Sequence, residues 1–313
     1  MAMKKTQSKH AAKLSLGPLM FNWSAEKWRD FYFRIADEAV IDTVNIGEVV
    51  CSKRVSFFEP HLAEVVERLQ GAGKEVVLST LALVMTDREM EQIRAVTGIG
   101  EFVVEANDVS TASLLAGRSH DIGPFVNVYN EGTLEFFASQ GATRICLPVE
   151  LSASTLAVLA TEADRLGLET EAIVFGRLPL AVSARCYHAR AHRLNKDGCE
   201  FVCAEDPDGM DLKTLDGVPF LAVNGTQTLS HSCCSLLPEV DAMRDMGVHR
   251  FRLSPQDVDM VAVAQVFRGV IDHRTEIAEA SRTLEELTQD FTLSNGYFYG
   301  VEGSQMVVDQ RFS

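Results

Sequence analysis

Seven cysteines punctuate this 313-residue chain, and three of them, Cys186, Cys199 and Cys203, fall within one short segment. Thiolates are soft ligands that suit zinc or iron–sulfur clusters. In a helix, the Cys199-x3-Cys203 spacing would put both sulfurs one turn apart on one face. Cys186 is near enough in sequence to reach the same centre. Arg185, Arg190, Arg193 and Lys196 accompany these thiols, with no acid between Arg185 and Lys196. Such cations offset the charge of an all-thiolate centre and lower thiol pKa values. The spacing departs from the x3–x2 triplet of radical enzymes that bind S-adenosylmethionine, because Asp206 stands where the third cysteine would be.

Three thiols leave a closed site one ligand short. Cys51 follows a strand at Thr43–Ile46, and Cys186 follows one at Glu169–Phe175. In a parallel barrel both emerge at the C-terminal face, where sites are built, which favours Cys51 as the fourth ligand. Cys233 or Cys234 is the alternative; being adjacent, the two point in different directions and are poor joint ligands. Cys146 lies in an apolar strand and reads as core. His188 and His192 are spaced i, i+4, which keeps a mixed Cys/His zinc site open, while His231 reads as structural. Glu48, Lys53 and Arg54 beside Cys51 would either bind substrate at a barrel mouth or form a surface salt-bridge network. Glu105, Asn107, Asn127, Asn130 and Glu150 end successive strands, where a barrel places its site groups. No local Ser-His-Asp signature, H-E-x-x-H, G-x-G-x-x-G or Walker loop is present.

These residues need elements to position them. Short apolar strands follow helix-ending glycines at Gly71, Gly98, Gly141, Gly167 and Gly247. Strands are expected to begin near Lys13, Thr43, Glu75, Glu101, Ile122, Arg144, Glu169 and His249. A further strand is expected at Val218–Val223. Leu62, Val65, Val66 and Leu69 recur at helical spacing, and Thr86 with Glu89 forms a capping-box signature. Alternating strands and helices predict an α/β fold, a TIM-type (β/α)8 barrel, with an open doubly wound sheet as the alternative. The expected organisation is a mobile tail over residues 1–12 and a single barrel domain over 13–313, with a cysteine-containing insertion after the seventh strand, at about 176–248. Two helices are expected between Val258 and Leu287, and the Asn295–Gly300 stretch is expected to cap the barrel.

Composition limits the function classes. The chain is 46% hydrophobic and 23% charged, ordinary for a globular protein. Its net charge of −15 argues against a nucleic-acid partner. No apolar run is long enough for a transmembrane helix, and the basic, polar N-terminus lacks the apolar core of a secretory signal. A cytoplasmic location is expected, where clustered cysteines bind metals or do redox chemistry rather than pair as disulfides.

The stretch Asn45-Ile-Gly-Glu-Val-Val-Cys51-Ser-Lys-Arg54, the segment from Cys186 through His192, the Cys199-x3-Cys203 pair, Leu16-Gly-Pro-Leu19 and Asn295-Gly-Tyr-Phe298 occur together. With them the chain resembles the collagenase-like peptidase family, and within it the branch serving oxygen-independent ubiquinone biosynthesis. That resemblance implies a [4Fe-4S] cluster on Cys51, Cys186, Cys199 and Cys203. It implies a heterodimer with a UbiU-like paralogous subunit, an associated lipid-binding protein, UbiT, and a prenylated aromatic ubiquinone precursor as substrate. The implied activity is hydroxylation of the ubiquinone ring without dioxygen. A peptidase-like hydrolase and a non-catalytic zinc-binding scaffold are the alternatives. The acidic balance sets the chain apart from family members that modify RNA.

Overall fold

A computed structural model describes residues 11–308. Of the tail expected over residues 1–12, residues 1–10 lie outside the described residues. Eight parallel strands form the centre: β1 (Lys13–Leu16), β2 (Thr43–Ile46), β3 (Glu75–Ser79), β4 (Val103–Ala106), β5 (His120–Ile122), β6 (Ala142–Cys146), β7 (Glu169–Val182) and, after an insertion holding β8–β10, β11 (Arg250–Leu253). Each strand pairs with the next, and β11 pairs with both β1 (Lys13 opposite Arg250) and β7 (Arg250 opposite Glu171). This closes the sheet into a TIM-type barrel. Four strand starts differ from expectation by one or two residues. Cross-strand pairing sets these ends: β5 begins where His120 meets Ala142, before its apolar residue Ile122.

Helices α1 (Ala25–Glu38), α2 (Val55–Gly71), α3 (Asp87–Gly98), α4 (Val109–Leu115), α5 (Glu131–Ser139) and α6 (Ala153–Leu166) follow the first six strands. Their starts are chemically marked. Ser24 accepts the Lys27 N–H to open α1, and Thr86 and Glu89 form the reciprocal box that opens α3. Tyr32, Ile35, Val65 and Leu69 from these helices pack on Val44, Ile46, Phe251 and Leu253 from the strands, all essentially fully buried.

The strand residues that alternate with this apolar set are polar and point into the lumen. Arg252 of β11 pairs with Glu105 of β4 and Glu171 of β7. Asn45 and Ser79 each donate to Glu105 at 3.0 Å. Strands that are not neighbours can bond side chain to side chain only through the interior. At the N-terminal end a second network joins Arg144 to Asp121 (2.7 Å) and Glu75 (2.9 Å), and Arg250 to Glu169 (2.7 Å) and Glu75 (3.1 Å). The lumen is thus filled by paired charges rather than by the branched apolar layers usual in such barrels.

The insertion begins inside β7, which leaves the barrel at Gly176 and continues to Val182. Gly176 has φ +116°, and a Cβ there would press on Ser254. Beyond the barrel β7 pairs antiparallel with β10 (Gln227–Ser235), which pairs with β9 (Pro219–Asn224) and then β8 (Met210–Lys213). The expected strand at Val218–Val223 is β9. Helix α7 (Tyr187–Ala191) lies within the insertion, and α8 (Val240–Asp245) leads out of it. The two expected C-terminal helices are α9 (Met260–Ile271) and α10 (Ile277–Leu287). After β12 (Leu293–Ser294) comes the stretch from Asn295 to Phe298, which lines a cavity with Pro148 and Val149 of the loop after β6 and with Ile173 of β7. It packs beside β10 and the start of α6, where Phe298 accepts the Ala153 N–H and both Asn295 and Tyr299 donate to Glu239. The β12–β10 pairing holds it there.

Candidate metal centre

Cys51 sits in the loop after β2. Glu48 Oε1 accepts the N–H groups of Val50 and Cys51, each at 2.8 Å, and so folds the chain back on itself. Gly47 precedes this turn at φ +138°, where a Cβ would collide with the Ser79 carbonyl oxygen. Burial raises the Glu48 carboxyl above its usual range, against the opposing pull of Arg54 and the two N–H groups. Lys53 reaches across to the Lys196 and Asp197 carbonyls at 2.7 and 2.9 Å. Glu48 and Lys53 therefore brace this loop, and Lys53 also lies 4.0 Å from the exposed Asp197 carboxylate as a surface ion pair.

The other three thiols lie in the insertion. Cys186 caps the N-terminus of α7, its Sγ accepting the Ala189 N–H at 3.4 Å. Cys199 and Cys203 do not share a helix, contrary to one reading of their spacing. Glu200 and Phe201 are both left-handed, at φ 50° and 55°, and two such residues in succession break a right-handed helix. A single 3-10 turn, Val202–Ala204, then presents Cys203, whose Sγ accepts from Asn22 Nδ2 at 3.3 Å.

Cys51, Cys186, Cys199 and Cys203 line one cavity, together with Arg54, Lys196, Phe201, Val202 and Gly225. Cys186 and Cys203 are buried; Cys51 and Cys199 are partly exposed. Arg54 is 3% exposed and donates to the Met20 carbonyl at 3.0 Å and to Asn224 Oδ1 at 2.6 Å. Burial works against its charge, but Glu48, Cys203 and Cys51 outweigh that cost and hold its pKa up. Gly225 makes room for it: at φ +69°, a Cβ would collide with Arg54 Nη2. Burial pushes the thiols of Cys51 and Cys186 up, and Arg54 pulls both back. Four soft donors around a buried guanidinium, with no carboxylate in the cavity wall, fit a group held by thiolates.

The insertion is pinned to the barrel so that these segments meet. Trp23 Nε1 donates to the Pro207 carbonyl at 2.7 Å, Thr226 to Val50 at 2.8 Å and Gln227 to Met20 at 2.7 Å. Cys146 is buried beside Arg252 in the barrel, and Cys233 and Cys234 are buried in β10. None of these three lines the cysteine cavity. Of the basic island, only Lys196 lines it; Arg185, Arg190 and Arg193 are exposed.

The strand-end polar residues divide. Glu105 belongs to the lumen network, and Asn107 donates to the Thr80 carbonyl and to Glu105. Asn130 caps α5. Asn127, left-handed at φ 62°, and Glu150 line a separate cleft with Phe125, Pro148 and Leu180. His231 pairs with Asp211 at 3.3 Å. His188 and His192 lie one turn apart with Asp206 beside them, and none of the three lines the thiol cavity.

The sequence matches the family described as Peptidase family U32 over residues 26–307. This chain belongs to that family. Solved structures similar to this U32 chain are distant. An uncharacterized B. cereus protein is 16% identical with a TM-score of 0.36, the match covering 55% of this chain and 50% of that one. The U32 chain thus spans half the length of that relative. A tryptophan synthase complex from Pyrococcus furiosus is 9% identical with a TM-score of 0.41, covering 90% and 99%. D-Psicose 3-epimerase from Clostridium cellulolyticum H10 is 11% identical with a TM-score of 0.30, covering 88% and 98%. These likenesses are too loose to bear on function, and the barrel rests on the strand pairing above. No helix among the described residues is long and apolar enough to cross a membrane.

The four cysteines singled out in the sequence line one cavity, but several residues that surround them were not foreseen. Asn22, Asn224 and Gly225 carry no local signature. The role of Arg54 depends on Met20 in the loop after β1 and on Asn224 and Cys203 in the insertion, all far from it in sequence.

Proposed function

We propose that this U32 chain is a UbiV-like [4Fe-4S] subunit that works with a UbiU-like paralogue to hydroxylate the ubiquinone ring without dioxygen. The observation that carries the reading is the meeting of Cys51, Cys186, Cys199 and Cys203 in one cavity beside Arg54. These four residues would hold the cluster. When bound, such a cluster supplies one-electron transfer, since four thiolates leave no iron open to substrate. The chain's own groups prepare the place. Arg54 supplies fixed positive charge, Asn22 donates to the Cys203 sulfur, and Phe201 and Val202 give the cavity an apolar wall. Low polarity and hydrogen bonds to sulfur are the levers by which a protein sets a cluster's potential. The substrate, a prenylated aromatic ring, then binds outside the thiol cavity, on this chain or on its partner.

Co-expression with a UbiU-like paralogue under anaerobic conditions, followed by affinity purification through this chain, tests the reading. Equimolar co-elution is expected, with hydroxylation of the prenylated precursor requiring both subunits. Peptide hydrolysis by this chain alone, abolished by a chelator and indifferent to air, would instead establish a hydrolase.

A further inference from the structure

We propose that His188, His192 and Asp206 form a second, mononuclear site for a divalent first-row transition metal ion, separate from the four-cysteine cavity. One nitrogen from each ring and one carboxylate oxygen lie within 4.8 Å of one another. The rings stand 5° from parallel with centroids at 5.4 Å, so a shared ion requires the exposed His192 ring to rotate toward the His188–Asp206 pair.

His188 carries the argument. It is fully buried, and its Nδ1 lies 3.1 Å from the Val223 carbonyl oxygen. A carbonyl only accepts, so Nδ1 holds the ring's proton. Nε2 is then left with a lone pair, and no hydrogen-bond donor reaches it among the described residues. What it faces is Asp206 Oδ2, 3.0 Å away, itself an acceptor. Two acceptors at that distance, one of them buried, need a positive centre against both. A metal ion meets this need, and a histidine whose far N–H is fixed by a backbone carbonyl is oriented as metal-ligating histidines are.

Two imidazoles and a carboxylate suit zinc, iron(II) or cobalt(II) better than magnesium or calcium. His192 is exposed and Asp206 half-buried, so solvent can complete the coordination. The site would tie α7, which follows Cys186, to the chain just after Cys203. The rival arrangement is a second proton on His188, giving an ion pair with Asp206 and no metal. This proposal does not depend on the cluster reading.

Cobalt(II) titration separates the two. The full chain, purified anaerobically and dialysed against a chelator, is titrated while heat and visible absorption are followed. One equivalent with d–d bands that persist in Cys199→Ser is expected, apart from any cobalt on the thiols, whose thiolate charge transfer Cys199→Ser removes. His192→Ala and Asp206→Asn should each weaken it by about tenfold or more, and Cys199→Ser should leave it unchanged. His192 is exposed, so its variant should fold, as a thermal melt checks. Equal cobalt binding by the wild type and both variants would overturn the proposal. So would no binding, or binding only with thiolate charge transfer that Cys199→Ser removes.

Discussion

Arg54 is surrounded by groups that all need its charge. It donates to the Met20 carbonyl and to Asn224, lies beside Glu48, and faces the thiols of Cys51 and Cys203. Arg54→Gln should therefore do two things. It should destabilise the chain by about 1.5–3 kcal/mol, the cost of hydrogen bonds to a charged group in a buried place. It should also lower the iron retained after reconstitution, because the four thiols lose a buried cation that lines their cavity. Denaturant unfolding reads the first effect and iron analysis the second; a variant with wild-type stability and iron would remove Arg54 from the account. This role was not legible in the sequence. Charge counting pointed to Arg185, Arg190, Arg193 and Lys196, of which Lys196 lines the cavity and the three arginines are exposed, because a linear segment shows density of charge but not which way each side chain faces. Cys186, Cys199 and Cys203 stood out because clustered cysteines carry their chemistry in type and spacing, whereas Cys51, distant in sequence, was added by its expected place at the barrel's C-terminal face and by the family resemblance.

At the scale of the element, strands were easier to read than the loops that carry the site. Lys13, Thr43, Glu75 and Glu169 begin strands as their apolar pattern predicts. Cys199 and Cys203 could be read as helical neighbours, yet Glu200 and Phe201 are left-handed, in a loop whose Phe201 packs on Phe57 of α2 and whose Cys203 carbonyl accepts from Asn224 of β9. The alternation of polar and apolar residues along β2, β7 and β11 was the overlooked signal for a charged lumen. Glu75 shows what that lumen does to stability. Burial opposes its ionisation, but Arg144, the Thr43 hydroxyl and Arg250 together pull its pKa from 4.5 down to about 2. A carboxyl depressed in the folded state stabilises it fully above the unfolded value, and that contribution is lost as pH falls through the folded value. Glu75→Gln should thus melt below the wild type at pH 5, with the gap closing toward pH 2. A gap that stays constant across that range would show that Glu75 is not ionised by its arginine partners.

For the whole molecule, the barrel is the frame onto which the insertion docks. Barrel closure was legible from eight strand–helix units. The docking of the insertion was not, because it depends on long-range bonds such as Trp23 to Pro207, Thr226 to Val50 and Gln227 to Met20. Those bonds bring the loop after β2 against the segment after β7, and so place four thiols around one cavity. The central claim is that the cavity belongs to an iron–sulfur cluster. Iron and acid-labile sulfide, measured on the full chain purified without oxygen and reconstituted, test it most directly. About four of each per chain are expected, with a brown absorption that Cys199→Ser removes and Cys233→Ala retains. A colourless chain without iron, or one holding zinc on the same thiols, would contradict it.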